Sequence, residues 1–451
     1  MIPSLGDALE WLDRHVNLEA IISGRAPGTE RPTLDRIRRL TDAMGDPQSD
    51  YPVIHVTGTN GKGSTVRMAT ALLVANGLTV GTYSSPHLEQ VNERISRNGT
   101  PIDDDSLTQV LSALRDLEPF VMSLAAEPGV DVAPTWFELV TAGAYRWFSD
   151  TAVEAAVVEV GLGGRYDATN VADGLVSVVT NVDLDHTELI GPTRADIATE
   201  KAGILKTGAV VVLGETDPDL VPIFTAEAAR VAVDAVWMRG RDFGCTANHL
   251  AHGGRLVDLR TPSGSYAEVF IPLAGHHQGE NAAAALTAAE AFFGAPLADE
   301  VVTAAFASVT VPGRMEVVGR RPLVVLDGAH NAAGARVAGE TLDDDFAGAR
   351  RVVLVMGCLR GRDPAELLAG VAVERTAHVV GCPAPSARGQ DADAVVTAAR
   401  ALGLEATAAP SIGEALEAAL ALAGEDDLVL VTGSLYVVGA ARTLLRQADR
   451  S

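Results

Sequence analysis

Residues 52–73 read PVIHVTGTNGKGSTVRMATALL. A β-branched apolar run ends in a glycine-rich turn, and an apolar pattern with helical spacing begins near Thr65. Strand, glycine turn and helix in that order make a phosphate-binding loop. The glycines let backbone N–H groups approach an anion, and the helix N-terminus adds a favourable dipole. Lys62 then reaches the β- and γ-phosphates of a nucleotide, and Ser64 or Thr65 is offered to phosphate or magnesium. Thr59, Asn60, Gly61, Lys62, Gly63 and Ser64 are the candidate nucleotide-binding residues. The usual spacing is not kept throughout: Val56 stands where the first glycine belongs, and Gly63 intervenes between Lys62 and Ser64. A plain glycine turn is the simpler alternative. The coincidence of strand, spacing, lysine, hydroxyls and helix favours the phosphate loop.

Outward from this loop, short β-branched runs alternate with helical patterns. Strands are predicted at Tyr51–Thr57, Leu78–Tyr83, Ala155–Val160, Val176–Thr180 and Ala209–Leu213, with helices at Thr65–Asn76 and Thr135–Phe148. Upstream, helices are predicted around Leu5–Val16 and Leu34–Met44, flanking a Gly/Pro-rich loop, SGRAPGTERP. Such alternation implies a parallel sheet covered on both faces. Residues 233–274 change to short strands and turns, which suggests a small β insertion, and helices follow over Gly279–Phe292 and Asp299–Ser308. After the linker VPGR (311–314) a second alternating series places strands at Leu323–Leu326, Arg351–Val355, His378–Val380 and Leu428–Val431. The expected architecture is α/β: a P-loop parallel-sheet ATPase domain over 1–310, then a smaller Rossmann-like domain over 311–451.

The net charge of −24 repels phosphate backbones and anionic lipid, so nucleic acid and membrane surfaces are poor partners. The odd count of three cysteines, with no metal-ligand spacing, argues against a disulfide framework and for a reducing compartment. No signal-peptide pattern or long apolar run occurs, so a cytoplasmic protein is expected. Only three of the 35 basic residues are lysine, namely Lys62, Lys201 and Lys206. Where arginine serves nearly everywhere, a retained lysine points to chemistry that guanidinium cannot do.

Several later stretches carry polar residues at the carboxyl ends of predicted strands, where open α/β sheets place ligands. GTYSSPHLEQVNERI (81–95) puts a hydroxyl cluster past one strand, although SSP alone is equally a turn. AAVVEVGLGGRYDATN (155–170) ends a buried strand in Glu159, a hard oxygen ligand of the kind magnesium takes. VSVVTNVDLDHTELIG (176–191) places His186 beyond the following strand, so that it and Glu159 can converge. In ATEKAGILK (198–206), Lys201 beside Glu200 reads by itself as a solvated ion pair. IPLAGHHQGENAAAAL (271–286) carries Asn281 ahead of a helix, where capping is the plainer role. LVVLDGAHNAAG (323–334), MGCLRGRD (356–363) and LVTGSLYVVGAA (430–441) are the polar strand ends of the second domain.

Taken in order, these strings resemble the folylpolyglutamate synthase/dihydrofolate synthase branch of the Mur ligase superfamily over residues 34–443. The resemblance implies an ATP-dependent ligase that adds L-glutamate to a folate or dihydropteroate carboxylate through an acyl phosphate. It assigns Ser85 and Glu159 to one magnesium, and His186 and Lys201 to a second, with Lys201 modified to a carbamate. Lys62, His186 and Lys201 become the catalytic set. Asn281, Arg314 and Asp327 join the phosphate loop in binding ATP. Thr135, Trp136, Phe137, Glu138, Tyr166, Asp167, Ala168, His330 and Ser434 are assigned to the pterin and glutamate substrates. Many relatives carry Leu where Tyr166 stands, and Arg362 replaces a usual lysine. The partners implied are small molecules, acting on a monomer. Two other readings are weighed: a muramyl-peptide ligase, which needs an N-terminal domain larger than the roughly 50 residues before the loop, and a non-catalytic nucleotide-binding regulator, which has no need of two metals.

Overall fold

A computed structural model of the chain describes residues 4–17, 33–124, 133–372 and 374–448. The Gly/Pro-rich loop at 23–32 lies outside the described residues. Two compact units form: one comprises Met1–Asn248, Val257–Phe270 and Gly279–Val309, the other His249–Leu256, Ile271–Gln278 and Thr310–Ser451.

The chain begins with helices α1 (Leu5–Leu12) and α2 (Asp35–Ala43), then β1 (Val53–Thr57), α3 (Lys62–Ala75) and β2 (Val80–Tyr83). Next come β3 (Ile95–Arg97), β4 (Thr100–Pro101), α4 (Asp104–Ser123), α5 (Trp136–Asp150) and β5 (Ala155–Glu159). They are followed by β6 (Gly174–Val179), α6 (Thr187–Ile190), α7 (Arg194–Ala202), β7 (Val210–Leu213), α8 (Val221–Val231) and β8 (Ala235–Met238). These eight strands make one sheet in the order β4-β3-β2-β5-β1-β6-β7-β8. The six strands from β2 to β8 in that order run parallel. β1 and β5 are buried along their whole length, as a strand covered on both faces must be. Because β1 lies between β5 and β6, the carboxyl ends of all three surround the start of α3.

β9 (Gly244–Ala251), β10 (Gly254–Arg260) and β11 (Ser265–Ile271) form a three-stranded sheet, and α9 (His277–Phe293) and α10 (Asp299–Ala307) follow. The second unit's sheet contains β12 (Glu316–Arg320), β13 (Leu323–Leu326), β14 (Val352–Met356), β15 (Thr376–Gly381), β16 (Ala406–Ala408) and β17 (Leu428–Thr432). Its strand order is β12-β13-β17-β14-β15-β16. Helices α11 (Ala332–Asp345), α12 (Pro364–Val371), α13 (Ala392–Ala401) and α14 (Ile412–Leu422) connect the strands from β13 to β17, and α15 (Leu435–Ala448) follows the last. The parallel strands of this unit pack an aliphatic core of Val325, Leu342, Leu354, Leu368, Val379 and Leu430.

Three features differ from the sequence expectation. Neither large sheet is wholly parallel: β3 and β4 close one edge of the first antiparallel, and β12 does the same in the second. Ala235–Met238 pairs with β7 in the large sheet, so the β segment expected over 233–274 divides, and the separate sheet spans Gly244–Ile271. The 20-residue helix α4 has no counterpart in the sequence reading. Its N-cap Asp103 accepts from the Ser106 N–H, yet Pro119 sits within the helix and obscures its pattern. Among the described residues no helix is long and apolar enough to cross a membrane.

Candidate active site

In the first unit the loop after β1 is fixed from two sides. Gly58 and Gly61 take φ of +153° and +83°, the region that favours glycine. A Cβ on Gly58 would strike the Thr180 hydroxyl, and one on Gly61 would lie 2.5 Å from Asn281 Oδ1. Asn281, from α9, therefore lies directly against the phosphate loop. Thr57 Oγ1 donates to the Gly163 carbonyl at 2.9 Å, tying the loop to the glycine turn after β5.

Helix α3 starts at Lys62, three residues before the sequence expectation, so the amides of Lys62, Gly63 and Ser64 occupy its first turn. Such amides have no partner within the helix and point at whatever sits before it. Lys62 Nζ donates to the carbonyls of Gly58 and Thr59 at 3.0 and 3.2 Å. Thr65 Oγ1, one residue beyond Ser64, is buried with no hydrogen-bond partner.

Glu159 is the last residue of β5 and is buried. The Ser85 N–H, just past β2, donates to Glu159 Oε2 at 3.3 Å. A Cβ on Gly63 would lie 3.7 Å from the same oxygen. Ser85 and Glu159 thus meet at the start of α3. Lys201, in the last turn of α7, is 4% exposed, and its Nζ donates to the Gly58 carbonyl at 2.8 Å. Burial pushes this amine down to about 7, helped by the positive charge of Lys62 and opposed by Asp185, Asp167 and Glu200. His186 sits at φ +49°, its N–H donating to Asp185 Oδ1 at 2.8 Å, with Nε2 3.8 Å from that oxygen. The electrostatic influence of Asp185 on Lys201 links the β6 loop to the lysine.

The expected substrate residues divide. Asp167 is buried and accepts from Leu162 N, Thr169 N and the Thr169 hydroxyl, so it organises the turn. Ala168 is buried as well, while Tyr166 is 47% exposed. Thr135 and Glu138 form a reciprocal N-terminal cap on α5, and Glu138 also pairs with Arg36 Nε at 3.0 Å. Trp136 is buried: its indole donates to Asp13, and the Arg94 guanidinium lies 4.7 Å from its ring centre. Phe137 packs against Gly161, beside the Glu159 turn. A cavity of about 110 Å³ lies at this helix end, lined by Arg14, His15, Val16, Arg36, Ala133, Pro134 and Thr135.

In the second unit, Asp327 follows β13 and is buried. It accepts from the amides of Met315 and Ala329 at 2.9 Å each. Burial raises its carboxyl, and Arg314 pulls it back. Arg314 Nη1 donates to the Gly313 carbonyl and packs over Gly328. His330 Nδ1 is 2.8 Å from the Gly328 carbonyl oxygen. Ser434, buried ahead of α15, receives the Tyr436 N–H at 3.2 Å. Arg314, Asp327 and His330 are thereby gathered around one turn of this unit.

Sequence reasoning overlooked three residues of the first-unit site. Asp185 was passed over for its neighbour His186. Thr180 and Asn181 hold the phosphate loop itself, with Asn181 Oδ1 accepting from Asn60 N at 3.0 Å. Their signal, a T-N pair at the end of a buried strand, becomes legible once β6 is known to lie beside β1.

A phosphate loop after a central parallel strand, with a hydroxyl–carboxylate pair and a buried lysine at its edge, defines a P-loop ATPase unit of the Mur ligase kind. Residues 142–289 match the Mur ligase middle domain and 313–435 the Mur ligase glutamate ligase domain. The chain is 37% identical over 459 residues to the dihydrofolate synthase/folylpolyglutamate synthase of Mycobacterium tuberculosis, covering 95% of this chain and 93% of that one. The solved M. tuberculosis folylpolyglutamate synthase, complexed with ADP, superposes with a TM-score of 0.90 at 35% identity, covering 98% of each chain. Escherichia coli FolC in complex with DHPP and ADP superposes at 0.84 and 29% identity, covering 100% of this chain and 99% of that one. The chain belongs to the dihydrofolate synthase/folylpolyglutamate synthase family and is an ATP-dependent acid–amino-acid ligase.

Proposed function

We propose that the protein joins L-glutamate to the carboxylate of dihydropteroate or of a folate, as a cytoplasmic monomer acting on small molecules. The observation that carries this reading is the convergence of Lys62, Lys201, Glu159 and Asn281 on the loop Gly58–Ser64. A substrate carboxylate oxygen attacks the γ-phosphorus of ATP, and the bond to the bridging oxygen breaks, releasing ADP. The glutamate amine then attacks the acyl carbon of the resulting acyl phosphate and expels phosphate. In a reaction of this type the protein mainly positions and neutralises. Lys62 and the first-turn amides of α3 bind the transferring phosphoryl group. Arg314, Asp327, His330 and Ser434 are the residues we assign to nucleotide and glutamate in the second unit.

Magnesium fits the first-unit site. Ser85 and Glu159 offer hard oxygens, and the buried Thr65 hydroxyl lacks a protein partner. Among the described residues no cluster of three or more His, Cys, Asp or Glu could cage a metal alone. One or two side-chain oxygens completed by water and phosphate is how magnesium is usually bound. When bound, the ion neutralises charge on the triphosphate. His186 and a carbamate on Lys201 are assigned to a second ion; an amine near 7 has the neutral form that carbon dioxide requires. Three free cysteines, two of them buried, suit a reducing compartment. The test is ADP release by purified protein with dihydropteroate, tetrahydrofolate or a muramyl nucleotide, each with and without L-glutamate. Glutamate-dependent turnover with either pterin supports the proposal. Turnover only with the muramyl nucleotide, or none, overturns it.

A further inference from the structure

The strand register of β1 with β6 ends at Thr57 and Val179, and beyond it side chains join the main chain in holding the loop. Asn181 Oδ1 accepts from the Asn60 N–H at 3.0 Å, while its Nδ2 donates to the Asn60 carbonyl at 3.1 Å. One carboxamide thus engages both polar groups of a single loop residue. Thr180 Oγ1 donates to the same carbonyl at 2.6 Å. The Thr59 N–H donates to the Asn181 carbonyl at 3.0 Å, and Thr59 Oγ1 exchanges bonds with the main chain of Asp183 at 2.9 and 3.1 Å. Every one of these contacts falls on the two residues between the glycines.

We infer that Asn181, supported by Thr180, is a positioning residue for ATP: it fixes the main chain of Asn60 so that the following turn presents its amides to the triphosphate. The inference rests on the assignment of this loop to ATP. The Asn60 N–H is committed to Asn181, so anion binding falls to the amides from Gly61 onward, whose direction depends on where Asn60 is anchored. Gly61 leaves that anchor at φ +83°, against Asn281. A carboxamide offers donor and acceptor on two separate atoms, one for each polar group of Asn60. A carboxylate of the same shape loses the donor and faces the Asn60 carbonyl with charge. The close approach of Thr180 also explains why position 58 must be glycine.

Asn181→Asp, Asn181→Ala and Thr180→Val, with Thr180→Ser as the conservative control, separate positioning from general damage. ADP and dihydropteroate binding are measured by calorimetry, and KM for ATP is measured against kcat. A carboxamide anchor predicts that Asn181→Asp and Asn181→Ala both weaken ADP binding and raise the ATP KM about tenfold or more. Dihydropteroate affinity stays within about twofold, since that site makes no use of the anchor. ADP affinity unchanged in folded Asn181→Ala overturns the inference, as does a loss confined to Asn181→Asp, which charge alone explains. Equal loss of both ligands overturns it too. If the Asn181 variants do not fold, the Thr180 pair decides: weakening by Val but not Ser supports the anchor, and equal behaviour refutes it. Lys62→Ala runs alongside. Normal ADP binding in that variant removes the loop assignment itself, whereas its failure beside normal Asn181 variants removes only the anchor.

Discussion

Lys62 and Lys201 donate to one acceptor, the Gly58 carbonyl, at 3.0 and 2.8 Å, although 139 positions separate them in the chain. Burial disfavours the charged form of Lys201, and repulsion from the Lys62 ammonium adds to it, which is why its amine falls to about 7. The arrangement is unfavourable for the protein alone. It becomes favourable where negative charge arrives between the two, as with a triphosphate. Helix α7 thus brings a buried amine to the edge of the loop carried by β1.

Lys62→Ala removes the cation assigned to the transferring phosphoryl group. Loss of such a group typically costs about 10²–10³-fold in turnover. Because Lys62 is held only by two carbonyls and makes no ion pair among those described, the melting temperature should move little. Glutamate-dependent ADP release and a thermal melt check both halves, and full activity in a folded variant removes the loop assignment.

Glu159→Gln keeps the shape of the side chain at the end of β5 and removes its charge. The Ser85 N–H bond to this position can survive, since an amide oxygen also accepts. The expected signature is a higher magnesium concentration for half-maximal activity, by roughly tenfold or more, as for other changes to a ligand's surroundings. A magnesium titration identical to that of the parent protein assigns Glu159 a structural role only.

Much of this site was legible because its residues follow apolar strands. Glu159 and Ser85 stand at the carboxyl ends of β5 and β2, and a parallel sheet puts such ends together; Asp327 stands likewise past β13 in the second unit. What stayed hidden depended on strand order and on local hydrogen bonding. The adjacency of β6 to β1 makes Thr180 and Asn181 part of the phosphate loop, and one sequence does not reveal which strands are neighbours. Glu138 has a local role that the resemblance did not supply: its carboxylate caps α5 and pairs with Arg36. A carboxylate three residues after a threonine at a helix start is a capping signal, and it was there to read.

Gly61→Ala tests how tightly the loop is built. Its Cβ would lie 2.5 Å from Asn281 Oδ1, and φ +83° is strained for any residue with a side chain. Either the loop or Asn281 must shift, and both are assigned to ATP. Nucleotide affinity should fall by about tenfold or more while dihydropteroate binding is kept. Normal ADP affinity in this variant places the nucleotide elsewhere.

His55 supplies a pH dependence of stability unrelated to catalysis. It lies inside β1, fully buried, with Nε2 2.9 Å from Thr169 Oγ1 and Nδ1 without a partner. Burial lowers its proton affinity to about 3, and Lys206 adds to the effect. The unfolded chain titrates near 6.5. Below that pH the unfolded state binds a proton that the native state refuses, so stability falls as pH drops from about 6.5 towards 3 and levels off beneath. Between pH 7 and 5 this single histidine should cost roughly 2 kcal/mol, at about 1.4 kcal/mol per unit of pH. His277, lowered to about 4 by burial, adds a similar slope in the second unit. Urea unfolding at both pH values, comparing the parent with His55→Gln, checks the sign and size: the variant should lose about 2 kcal/mol less on acidification. An identical pH dependence in the two proteins means that His55 takes up a proton within the native fold.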